Sequence, residues 1–439
     1  MDHEQLPLIP NIAMSFQNAG YYTAHIGKWH LGGQSHIDIP NRNAQNCTVP
    51  GINQYGFNEY VGMSEGPFSM RYRTHQKHNT YSTGARYLFR NDQPLLARSV
   101  DEILTDRQAE EAMRVIKEQH ERNTPFFVNL WFDAPHSPWE AIEPFYSEYS
   151  GKLGTERLQK YASMISNMDM NIGRVLDLLD KLQITKNTIV FFTSDNGPES
   201  DAGSAGPFKG RKRLLTEGGI RVPAIAMWEG TITGGSLSDK FMMTTDLFPT
   251  LLDAACIQPP QHIRLDGLSL LPLLLEKSSG GLEATKVGDE RMILWYTHSI
   301  GFPKLAAAWT HGFKVLWNDY EGRKGSKLPP AFRMFDMRVD SHEDVDLIPS
   351  LVSFCPEVIN STNSGRFSAC SIAASVNWHG ISSLRSIASD RDSPNYKLTL
   401  LRLLLHLQVK MHLFRHEGER DWSFYHKNKP YEVAPHCKT

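Results

Sequence analysis

The chain has 439 residues, 40 % of them hydrophobic and 10 % aromatic, which is enough to bury a large core and exceeds the usual size of one compact domain. Acidic and basic residues nearly cancel at a formal net charge of −2, and no long block of one sign occurs, which excludes whole-molecule attraction to nucleic acid or an anionic membrane. The five cysteines, Cys47, Cys256, Cys355, Cys370 and Cys437, are too scattered for a disulfide framework, and no CxxC pair marks a zinc site.

In chain order, IPNIAMSFQNAG predicts a helix closed by Gly20, followed by the strand YYTAHIG. Next, SVDEILTDRQAEEAMRVIKEQHE has helical spacing at Val100, Ile103, Leu104, Ala112, Met113 and Ile116 and leads into the strand PFFVNLWF. A third unit places Leu158, Tyr161, Ile165, Met168, Ile172, Val175, Leu176 and Leu179 on one helical face and continues into TIVFFTSDNG. Three helix-to-strand units predict a largely parallel α/β sheet. From about Arg291 the pattern changes to the extended runs MILWYT, AAAWTHGFKVLW and RMFDMRV, which predict a small antiparallel sheet. A serine-rich insertion at about 349–396 and an amphipathic helix over 401–414 complete the chain. Lysines, an arginine and histidines interrupt that last apolar segment, so it does not read as a transmembrane span.

Ligands of open α/β sheets gather beyond the carboxyl ends of the strands. Three predicted strands deliver polar residues there: Lys28 and His30 after the first, Asp133 and His136 after the second, Asp195 and Asn196 after the third. Asp195 and Asn196 offer a charged and a neutral oxygen suited to a hard cation such as calcium or magnesium, although DNG also reads as a turn. Lys28, Lys209, His30 and His136 can form a pocket for a tetrahedral anion, phosphate or sulfate, with Lys209 opening a run of four cations that includes Arg211, Lys212 and Arg213. That run lacks the interleaved aromatics of a nucleic-acid site.

The run GYYTAHIGKWHLGG closely resembles the second signature of the sulfatase family. The resemblance continues through QYGFNEYVG, FFVNLWFDAPHSPW, IVFFTSDNGPES, GPFKGRKRLLTEGGIRVP and TTDLFPTLLDAA, and FRMFDMRVDSHEDVDLI and DWSFYHKNKPY resemble the family's smaller C-terminal part. It implies an alkaline-phosphatase-like α/β sandwich around a largely parallel sheet, with a catalytic part over 1–290 and a small-sheet part with a helix over 291–439. It implies calcium-dependent hydrolysis of aryl or carbohydrate sulfates, with a sulfated small molecule or glycan as partner. Asp195 and Asn196 match metal ligands, Lys28 and His30 match residues that contact the nucleophile and sulfate, and His136 and Lys209 match further sulfate contacts. A secreted or lysosomal setting is suggested by the resemblance alone.

Sulfatases also carry a CxPSR-type motif, whose cysteine becomes the formylglycine nucleophile, and an upstream pair of aspartates that completes the metal site. No cysteine here has an arginine four positions later. In the family's order both motifs precede Leu6, so the chain is expected to lack an N-terminal segment with the first strand of the sheet, and to be inactive alone. A noncatalytic anion- or glycan-binding remnant and a phosphoester hydrolase of the same superfamily are the alternative readings.

Overall fold

The computed structural model describes residues 10–29, 52–63, 88–91, 93–99, 101–261, 263–275, 292–299, 302–309, 312–317, 332–347 and 349. His30, the helix expected at 401–414 and nearly all of the serine-rich insertion lie outside the described residues.

Helix α1 (Ile12–Asn18) begins where the Asn11 side chain accepts a hydrogen bond from the Met14 N–H at 3.1 Å, and the chain leaves it through Gly20 at a φ of 87°. Strand β1 (Tyr22–Lys28) then pairs in parallel with β2 (Glu59–Met63) on one side and with β5 (Phe126–Trp131) on the other. Strands β3 (Leu88–Arg90) and β4 (Gln93–Leu95) extend the sheet beyond β2 in antiparallel sense, giving the order β4-β3-β2-β1-β5.

Both faces of β1 are covered, as a parallel central strand requires. Ala24 and Ile26 pack with Val61, Leu88 and the Leu104, Ala112 and Val115 side chains of α2 (Leu104–Glu121). At the end of β1, Trp29 packs with Ala13 of α1, Ile52, Phe57, Tyr60 and Phe89. Arg114 of α2 pairs with both Glu59 of β2 and Glu111, which fastens the helix to the sheet. The first strand does not stop at Gly27: it runs through that residue at a φ of 110°, where an added Cβ would meet the Trp131 carbonyl oxygen at 1.8 Å. Glycine there permits the close approach of β5 rather than making a turn.

After α3 (Phe145–Tyr149), helix α4 (Glu156–Lys181) starts at Thr155, whose hydroxyl accepts from the Leu158 N–H at 3.2 Å. Val175, Leu176, Leu178 and Leu179 of α4 join Met113 and Ile116 of α2, Phe126 and Val128 of β5, and Val190 of β6 (Val190–Thr193) in one cluster. Strand β6 nevertheless belongs to a two-stranded sheet of its own, antiparallel to β7 (Ala224–Met227). The parallel arrangement thus comprises β2-β1-β5. Among the described residues, β5 and β6 share a helical floor while each keeps one edge outside any ladder.

Short helices α5 (Glu217–Ile220), α6 (Leu247–Ala254) and α7 (Leu271–Leu274) lead to the C-terminal sheet. There β8 (Met292–Ser299), β9 (Phe302–Trp309), β10 (Phe313–Trp317) and β11 (Phe332–Asp336) form the antiparallel order β11-β10-β9-β8 that the late extended runs predict. Leu215 and Ile220 pack on Trp295, Leu316 and Phe335, so this sheet seats against the segment around α5. Cys256 is disulfide-bonded, an outcome that its isolated position in the sequence does not foretell. Among the described residues no helix is long and apolar enough to cross a membrane.

Candidate anion and metal site

Lys28 stands half-buried at the carboxyl end of β1, between Gly27, which is locked against β5, and the packed Trp29. Three residues before it on the same strand, His25 is fully buried, with ring contacts to Trp29 and Trp131 at 5.0 Å and to Phe57 at 5.5 Å. Burial in that aromatic box lowers its titration to about 4, outweighing the opposing pull of the backbone at Gly27 and Lys28.

The turn after β5 carries Asp133, which is 2 % exposed. Its Oδ2 accepts from Gln108 Nε2 of α2 at 2.6 Å, while Oδ1 has no hydrogen-bond partner. Burial raises this carboxyl to about 7, against the opposing pull of Gln108 and of the Lys28 charge. The Asp133 carbonyl in turn accepts from the His136 N–H at 3.0 Å, which sets the position of the histidine.

His136 Nδ1 donates to the Ser137 carbonyl at 2.7 Å, and Nε2 lies 3.1 Å from Glu199 Oε1. The same carboxylate oxygen receives Lys212 Nζ at 3.3 Å. Burial pushes the Glu199 carboxyl up, but His136, Lys212 and a Ser137 hydrogen bond outweigh it and hold the group below the usual carboxylate range. Two positively charged or proton-donating side chains from different loops therefore converge on one anionic oxygen position.

Asp195 and Asn196 follow β6, Asp195 exposed and Asn196 half-buried. Their segment is stitched to the α5 region, since the Gly197 N–H donates to the Gly219 carbonyl at 2.9 Å and a Cβ on Gly197 would meet the Gly218 carbonyl oxygen at 1.9 Å. Two hard oxygens fit calcium in type and supply part of its shell of about six to eight. No cluster of three or more acidic, histidine or cysteine side chains able to hold a metal occurs among the described residues.

Of the residues singled out in the sequence, Lys28 and Asp133 stand at the ends of the neighbouring strands β1 and β5, the Asp133 carbonyl holds the His136 backbone, and His136 meets Glu199 in the segment that follows Asp195 and Asn196. Lys209 is placed elsewhere. Its Nζ donates to the Glu343 carbonyl at 2.8 Å and lies 3.3 Å from Asp344 Oδ1. The lysine that shares Glu199 with His136 is Lys212, three residues on, because Gly210 turns the backbone at a φ of 89° and the Lys212 N–H donates to the Pro198 carbonyl at 2.9 Å. Glu199 and Lys212 are thus functional candidates that the sequence reading passed over. Lys212 stood within the recognised cationic run, whereas nothing local in the sequence pairs Glu199 with His136.

A family model described as "Sulfatase" matches residues 4–257, and one described as "N-sulphoglucosamine sulphohydrolase, C-terminal" matches residues 205–351. N-acetylgalactosamine-6-sulfatase of Rattus norvegicus is 34 % identical over 278 residues, covering 61 % of this chain and 48 % of that protein. The uncharacterized sulfatase YdeN of Escherichia coli K12 is 32 % identical over 267 residues, covering 60 % of this chain and 47 % of the relative. The chain spans about half the length of the curated relatives it matches. Among solved structures, that of Ps i-CgsB in complex with k-i-k-neocarrahexaose superposes with a TM-score of 0.65 at 22 % identity over 83 % of this chain and 76 % of that one, a likeness of fold. The signature segments, the α/β sheet with its small antiparallel partner and the family model spanning more than half of the residues agree: the chain belongs to the sulfatase family.

Proposed function

We propose that the rim formed by Lys28, His136, Lys212, Asp195 and Asn196 binds sulfate monoesters of carbohydrates or aryl alcohols, and that calcium-dependent hydrolysis of such esters is the chemistry it serves. The observation that carries this reading is Glu199 Oε1, on which His136 Nε2 and Lys212 Nζ converge at 3.1 and 3.3 Å. A sulfate oxygen can occupy an equivalent position, and the loss of the Glu199 contact is then repaid by charge-assisted bonds to the ester. The names of the relatives, an N-acetylgalactosamine-6-sulfatase and a neocarrahexaose-bound structure, favour a carbohydrate sulfate.

In this reading Lys28 and Lys212 neutralise the non-bridging oxygens, and His136, turned by the Ser137 carbonyl, delivers a proton to the departing alcohol oxygen. His30 lies outside the described residues, and its role as a sulfate contact rests on the sequence resemblance alone. Asp195 and Asn196 would hold calcium, which when bound polarises a sulfate oxygen. Because the sequence contains no CxPSR motif, the chain by itself binds the ester without turning it over; removal of a covalent nucleophile costs about 10⁶-fold. The division near residue 290, with the C-terminal sheet as a separate part, belongs to the same reading.

The test is calorimetric titration of the chain, in calcium, with 4-nitrophenyl sulfate and 4-nitrophenyl phosphate, while release of 4-nitrophenol is followed. Saturable binding that favours the sulfate, without release, supports the proposal. Preference for the phosphate supports the phosphoester alternative, and binding of neither ester rejects the site.

A further inference from the structure

Lys314 of β10 is 1 % exposed, yet it is a charged residue in the C-terminal sheet. Its Nζ donates to Glu217 Oε1 at 2.7 Å and lies 2.9 Å from Glu343 Oε1. The other Glu343 oxygen accepts from the Glu217 backbone N–H at 2.9 Å, and the Glu343 carbonyl accepts from Lys209 Nζ. One buried residue after β11 therefore grips both ends of the segment 209–217.

That segment is closed on itself. The Gly218 N–H donates to the Lys209 carbonyl at 2.7 Å, and a Cβ on Gly210 would meet Thr216 Oγ1 at 1.9 Å. Lys212 leaves the loop on the side facing Pro198 and Glu199. Glu343 itself sits at a φ of 60°, a conformation that non-glycine residues rarely adopt and that the surrounding contacts impose. A buried ion cluster is a poor source of net stability but an effective way to fix one geometry. Here what it fixes is the base of the loop that aims Lys212.

We propose that Glu217, Lys314 and Glu343, together with Lys209, form a positioning device by which the C-terminal sheet holds Lys212 against Glu199 and His136. The inference rests on the reading of Lys212 as an anion-binding cation, but the placement of Lys212 can be measured without any anion. Lys209 acts in this account as a positioning residue and makes no contact with the ester. A change in the C-terminal sheet is transmitted to the anion rim along a path of named contacts: Lys314 to Glu343, Glu343 to Lys209 and Glu217, and the closed loop to Lys212.

The experiment uses the full chain and the variants Lys209→Met, Lys209→Arg and Glu343→Gln. Lys209 is exposed, so its replacement leaves folding intact even if the buried Glu343 variant does not fold. In Lys209→Met the ring NMR signals of His136 shift while those of the buried, boxed His25 stay in place, and Lys209→Arg, which can still donate to the Glu343 carbonyl, restores them. Trypsin cuts after Arg211, Lys212 and Arg213 about tenfold faster in Lys209→Met and in folded Glu343→Gln, at unchanged rates after Lys181 and Lys186. His136 signals and cleavage rates that match the parent chain in Lys209→Met overturn the proposal. Sodium sulfate serves as a separate arm. If it fails to protect the parent loop while the variants release it, the anion reading is rejected and the positioning device stands.

Discussion

Replacing Asp133 by asparagine removes a pH-dependent contribution to the stability of the chain. The carboxyl is buried, with one oxygen held by Gln108 and the other unpartnered, and burial raises its titration from 3.8 to about 7. A raised folded value means that the contribution to stability is complete below the unfolded value and is lost as pH rises through the folded one. The window therefore runs from 3.8 to about 7. A shift of about three units at roughly 1.36 kcal/mol per unit costs the folded chain about 4 kcal/mol once Asp133 is ionised. Asparagine keeps an acceptor for Gln108 and never ionises. Urea unfolding of both proteins from pH 4 to pH 8 reads the difference, which should grow in favour of Asp133→Asn by about 4 kcal/mol across that range. A difference that stays flat with pH, or grows in favour of aspartate, refutes the reasoning.

His25 gives the opposite slope: its folded value is depressed from 6.5 to about 4, so stability falls as pH drops through that interval, by about 3 kcal/mol. His25→Leu removes this acid limb in the same urea series, and an unchanged limb contradicts the buried neutral ring. Gly27→Ala forces a Cβ onto the Trp131 carbonyl at a positive φ and should cost more than about 3 kcal/mol in denaturant midpoint analysis; a loss below about 1 kcal/mol would falsify the close approach of β1 and β5. Lys212→Met should weaken sulfate binding by about 10- to 100-fold in calorimetry, the equivalent of one lost charge-assisted bond, and unaltered affinity removes Lys212 from the rim. Calcium titration should find no site tighter than about millimolar, since Asp195 and Asn196 provide only part of a shell, and a micromolar site contradicts that incomplete set.

Helices α1, α2 and α4, strands β1, β5 and β6, and the C-terminal strands were legible because their signals are local, whereas the short helices α3, α5, α6 and α7 and the strands β2, β3, β4 and β7 were not predicted. Asn11, Gly20 and Thr155 mark helix ends, and on the predicted apolar face Val175, Leu176 and Leu179 pack on α2 while Met168 packs near Ala134 and Ile142. The separation of β6 from β5 was not legible, because an apolar strand such as VFFT reads the same whether or not a neighbour fills its edge. The strand ends that carry Lys28, His136, Asp195 and Asn196 followed from the sheet rule, whereas the choice between Lys209 and Lys212 turned on a backbone reversal at Gly210 and a hydrogen bond to Pro198. The pairing of His136 with Glu199 across 63 positions, and of Lys314 with Glu217 across 97, is likewise a product of tertiary packing that no local spacing encodes.

A crystal structure of the chain grown with calcium and an aryl sulfate tests the central claim most directly. The account predicts the sulfate group seated between Lys28, His136 and Lys212, with its oxygens about 3 Å from the histidine and lysine nitrogens and Glu199 displaced from at least one of them. A sulfate bound away from these residues, or Lys28 and His136 opening into separate cavities with no anion common to both, would contradict it.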